Sequence, residues 1–198
     1  MRNKSIAQLI KDRRTIRRLS DRPLSLDEIY PLLETASFAP FHSKEEPWKV
    51  YTISSEKERT LLVEAIMVSY DRLDIWATYD PAYVEKAKRR TQSYFSEVPV
   101  SLIITAPYKT DECQQLEATA AVAAFIQNFQ LAAWEEHIGV TWRTIPVIVD
   151  PLFKQALGIV PQEQIIGLLD LTALDPSMTI PKAKRASFTQ WTRALCTK

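Results

Sequence analysis

Arg13-Arg14-Thr15-Ile16-Arg17 puts three guanidinium groups and a hydroxyl within five residues near the start of the chain. Guanidinium forks, a threonine hydroxyl and backbone N–H groups together can hold a phosphate monoester dianion without glycine. On spacing alone the simpler reading is a solvated basic turn. His42 stands in Ala39-Pro40-Phe41-His42-Ser43-Lys44-Glu45-Glu46-Pro47-Trp48, between an expected helix and an expected strand, where functional side chains are often displayed. A lone histidine there is ordinarily a surface or packing residue. The other histidine, His137, falls near the end of an expected helix, where it would offset the helix dipole. Trp142-Arg143-Thr144 closes an expected short strand and reads alone as a core tryptophan beside an edge arginine. Lys86, Lys88, Arg89 and Arg90 make a basic helix face that is most simply solvated. Trp76, Tyr79, Tyr83, Tyr94 and Phe95 lie near it and could cover a ligand or a partner subunit. No histidines, carboxylates or cysteines have metal-ligand spacing, and neither histidine has a nucleophile near it in sequence that would suggest a triad.

Those side chains need a scaffold, and composition bounds it. The 198 residues suit a single domain over 1–198; 46% are hydrophobic and 25% charged, ordinary for a globular protein. A net charge of +1 gives no overall field for nucleic acid or an anionic membrane, so any anion site is local. The three glycines, Gly139, Gly158 and Gly167, exclude a glycine-rich phosphate loop. Side chains must then hold much of any phosphate. Cys113 and Cys196 read as free thiols of a cytosolic protein. The N-terminus lacks an apolar run of signal-peptide length, and the longest apolar stretch, 118–125, falls far short of a membrane span. A cytoplasmic protein is expected.

The patterning predicts a short helix over 5–12 with Ile6, Leu9 and Ile10 on one face. Capping boxes at Ser25/Glu28 and Ser55/Glu58 open helices to about 37 and 68. Asp80-Pro81 opens another, to about 96. The longest helix runs over 112–138, apolar nearly all round in its middle and closed by Gly139 as the residue after the cap. Asp150-Pro151 starts a last helix ending at Gly158. Strands are expected over 48–53, 100–106, 140–143 and 164–171. The sum is α+β: helices around a small sheet of about four or five strands.

The basic segment, the Ala39-Pro40…Pro47-Trp48 segment and Gly139-Val140-Thr141-Trp142-Arg143-Thr144, in that order, resemble the nitroreductase family over 6–170. The stretch 120–134 is similar to that family's long central helix, and 165–171 to its late core strand. The form of the second motif resembles that of small bacterial members. The resemblance implies a mainly antiparallel central sheet and a homodimer holding FMN at its interface. Arg13, Arg14 and Thr15 would contact the phosphate and ribityl chain; His42, Glu46, Trp142, Arg143 and Thr144 would lie by the flavin. Lys184 or Arg185 would match a late cation near the phosphate. Lys44 and Glu46 depart from the amides common in the family, and Ile145 and Thr172 stand where glycines are common.

The implied activity is two-step hydride transfer, from NAD(P)H to FMN and then to a small-molecule electron acceptor such as a nitroaromatic, quinone or enone. The flavin carries that chemistry and no protein nucleophile is needed. Nucleic acid and membrane are not expected partners. Other readings are dehalogenation or flavin cleavage on the same fold, a non-catalytic flavin-binding or sensing module, and a ligand-free helical dimer.

Overall fold

A computed structural model describes residues 5–42 and 45–195; Lys44 and Cys196 lie outside them. Six α-helices of these residues carry local signals visible in the sequence. Helix α1 (Ile6–Asp12) is capped by the Ser5 side chain. Capping boxes at Ser25 and Ser55 open α2 (Leu26–Ala36) and α3 (Glu56–Arg72), so two donors at each helix start find partners. A 3-10 turn at Pro81–Tyr83 leads into α4 (Val84–Glu97). Asp111 and Asp150 cap α5 (Glu112–Glu135) and α6 (Pro151–Ala156).

Strands β1 (Lys49–Ile53), β2 (Val100–Pro107), β3 (Ile138–Arg143) and β4 (Glu163–Ala173) form one sheet in the order β1-β2-β4-β3, with every pairing antiparallel. The α+β expectation therefore holds, with four strands. Strand β2 is buried on both faces, as its apolar run requires. Its even positions Val100, Leu102 and Ile104 pack with α2 and α5, while Ile103 packs with α3 and α6 on the opposite face. The molecule is thus a helix–sheet–helix sandwich.

Two expectations are corrected. The central helix ends at Glu135, not near 138, and the left-handed residue after it is His137, at φ 58°. Its carbonyl accepts from the Leu174 N–H at 2.7 Å, which draws the chain into β3 one turn early. Gly139 lies inside that strand and serves close approach: a Cβ there would sit 2.7 Å from Ile16 Cβ. Helix α5 packs on several sides, as expected, and leaves one stripe open. Leu116 is 70% exposed, and Ala120 and Gln127 are exposed on the same side at helical spacing.

Candidate functional site

The basic segment is fastened along the outer edge of β3. Arg13 N–H donates to the Leu9 carbonyl and closes α1, and Thr15 bridges Val140 in parallel. Thr141 Oγ1 donates to the Ile16 carbonyl at 2.6 Å, and Ile16 fills the space that Gly139 leaves. The Ser20 N–H then donates to Thr172 Oγ1 at 2.9 Å, so Thr172 helps to seat the segment.

Arg13 reaches α5, where Nη1 donates to Gln130 Oε1 at 3.3 Å. Arg14 turns the other way: Nε donates to the Pro181 carbonyl at 2.9 Å, and Nη1 to the carbonyls of Lys11 and Arg13. This clasp holds the C-terminal tail against the end of α1. Arg185 consequently lies close enough for its charge to act on Arg13. Burial first, then the charges of Arg14 and Arg185, hold the Arg13 guanidinium below its ordinary range. Among the described residues no carboxylate pairs with these three arginines. Three like charges gathered without an acid make a cradle for a dianion.

Arg143 ends β3 on the face turned toward α4. Its Nε donates to Asp170 Oδ2 at 2.5 Å, and its guanidinium lies 4.6 Å from the Tyr94 ring centre. Asp170 is buried and also accepts from Ser101 Oγ and Tyr94 Oη. Burial pushes the Asp170 carboxyl up, against the pull of Arg143 and the two hydroxyls. Burial works to lower Arg143, but the carboxylate outweighs it and holds the guanidinium charged. Arg143 and Tyr94 line a cavity of about 580 Å³ together with Arg17, Lys86, Arg90 and three further tyrosines, while Asp170 lies behind Arg143. Arg17 also borders a smaller cavity, with Thr15 and the tail residues Thr179 to Pro181. It therefore stands between the arginine cradle and the large cavity.

Trp142 points to the opposite face, its indole over Gly167 and Nε1 donating to the Ile166 carbonyl at 3.3 Å. Thr144 is exposed just past the strand. His42 is exposed, 3.9 Å from Glu117 of α5, and lines a cavity with Phe41 and Ala121. Glu46 is exposed in a separate recess with Lys49 and Glu163. One chain therefore brings together Arg13, Arg14 and Thr15, and sets Arg143 beyond Arg17. It does not bring His42 and Glu46 to either group.

Sequence reasoning had Arg17 in the basic run and Tyr94 among the rings that could cover a ligand, but it passed over Asp170. The signal for Asp170 was there: a single carboxylate inside the apolar run of β4, where a charge needs a partner.

Comparison with known proteins agrees with this fold. A crystal structure of a nitroreductase-like family protein from Bacillus cereus superposes with a TM-score of 0.85 at 28% identity, covering 98% of both chains. The Bacillus subtilis (strain 168) protein named "Putative NAD(P)H nitroreductase YfhC" is 27% identical over 177 residues, 89% of this chain and 88% of its own. The FMN-dependent nitroreductase NfnB from Mycobacterium smegmatis, solved with NADPH, shares the fold at a TM-score of 0.72 and 19% identity, covering 96% of this chain and 97% of its own. The model of the Nitroreductase family matches residues 10–171, and the chain belongs to that family.

Proposed function

We propose that this protein is an FMN-dependent oxidoreductase that uses NAD(P)H to reduce small organic acceptors such as nitroaromatics, quinones or enones. The observation that carries the reading is the cluster of Arg13, Arg14 and Arg185 beside the Thr15 hydroxyl, on the segment pinned to β3, with no ion pair to a carboxylate among the described residues. Its donor set fits a phosphate monoester. When bound, FMN supplies hydride uptake from NAD(P)H and hydride delivery to the acceptor.

The chain's own groups do the rest. Arg13 and Arg185 hold the phosphate, Arg185 being the late cation that the Arg14 clasp brings into place. Thr15 adds a hydroxyl, and Arg17 continues the line of donors toward the large cavity. Asp170 fixes Arg143 over the Tyr94 ring, so that wall is preorganised. Trp142 packs at the end of β3, and Thr144 is exposed just past it. His42 and Glu46 come from the second copy of a homodimer, since one chain leaves them on separate surfaces. The open stripe of α5 and the exposed apolar tail residues Phe188, Trp191 and Leu195 support such a dimer.

Spectral titration of FMN into apoprotein tests the cradle. We expect one FMN per chain, with Arg185→Ala weakening binding about tenfold, the usual size for one charge-assisted contact. Unchanged affinity would remove Arg185 from the site.

A further inference from the structure

We infer that the cavity between α4 and the end of β3 selects an acceptor that is both aromatic and anionic, a planar ring carrying a carboxylate or similar acid. This deepens, and rests on, the oxidoreductase reading above. Arg17, Lys86 and Arg90 line the cavity, no carboxylate is among its lining residues, and none of the three forms an ion pair among the described residues. Arg143 adds little net charge because Asp170 cancels it. The remaining walls are aromatic, chiefly Tyr79, Tyr83 and Tyr94. Rings favour a planar ligand, and three unpaired cations around a half-enclosed space favour a negative one.

The two cations of α4 are not explained by folding. Lys86 and Arg90 lie four residues apart on one helix face, an arrangement that repels. Lys88, between them in sequence, has a structural role: its ammonium donates to Asp71 at 3.0 Å and lies 5.6 Å from the Trp76 ring centre. The phosphate of a bound cofactor is already served by Arg13 and Arg185 beyond Arg17. Lys86 and Arg90 are therefore in excess of cofactor binding and available to a second anion. The pyrophosphate of NAD(P)H is the other source of such charge, and the test separates the two.

The FMN-loaded protein, with no reductant, would be titrated calorimetrically with benzoate and with its neutral isostere benzamide. We expect benzoate to bind at least about tenfold more tightly, the fold-change of one charge-assisted contact, and Lys86→Ala/Arg90→Ala to abolish the difference. Both substitutions suit an exposed helix face, and far-ultraviolet circular dichroism would check that α4 persists. In turnover, the same variant should raise the ratio of KM for 4-nitrobenzoate to KM for 4-nitrobenzamide about tenfold. Equal binding of benzoate and benzamide overturns the inference whatever the activity. So does a variant that changes only the KM for NADPH. Selective benzoate binding without reduction of either nitro compound would keep the anion site and contradict the oxidoreductase function.

Discussion

The Arg13 guanidinium is partly buried, and its only hydrogen-bond partner among the described residues is the neutral Gln130 side chain. Removing it should therefore cost more than loss of a solvated charge. Arg13→Ala is expected to weaken FMN binding by about 1.5–3 kcal/mol, tenfold or more, in a spectral titration; wild-type affinity would return the segment to a plain basic turn. Glu46 belongs to the same scale. If the second copy brings it beside the flavin, its charge disfavours the reduced anion, and Glu46→Gln should raise the midpoint potential by about 30 mV, roughly 1.4 kcal/mol for two electrons. An unchanged potential together with unchanged FMN affinity would leave Glu46 as a rim residue facing water. The arginines were legible as a run of like charge, but their division of labour was not. Arg14 as a clasp depends on where Pro181 lies, 167 residues away, which no local pattern records.

At the scale of elements, Gly139 shows how β3 positions chemistry it does not perform. A methyl group there collides with Ile16, so Gly139→Ala should push the basic segment off the strand edge and weaken FMN binding while the sheet itself persists. Retained affinity with an intact circular dichroism spectrum would count against this positioning role. The sequence reading placed Gly139 after the helix because glycine commonly follows a C-cap; His137 takes the left-handed position instead. The helix starts were read well, since capping boxes are local and self-contained. Two buried carboxylates also set a pH dependence. Burial works to raise Glu163 and Asp150, but hydrogen bonds outweigh it and lower both: Lys49, Thr105 and Tyr51 act on Glu163, Ser69 and Arg72 on Asp150. Their folded values lie below the unfolded ones, so their stabilisation is present above about pH 4 and is lost as pH falls further. Tm should drop steeply below that pH, and Glu163→Gln should flatten the drop; an identical profile in the variant would show that Glu163 does not contribute to it.

At the scale of the molecule, the α+β sandwich was legible because apolar runs and caps fix element types, whereas the sheet order β1-β2-β4-β3 depends on long-range pairing that no local pattern records. The completeness of the site was not, because His42 and Glu46 lie on surfaces of one chain away from the arginines. The proposed homodimer would resolve this, and light scattering at micromolar concentration is expected to report about twice 22.7 kDa. A monomer that still holds FMN would contradict a shared site. Anaerobic spectroscopy of the FMN-loaded protein shows whether this chain binds FMN and passes electrons through it. A yellow protein that NAD(P)H bleaches and a nitroaromatic or quinone restores is expected. A protein that stays colourless after FMN is added, or yellow after NAD(P)H is added, would contradict the proposed function.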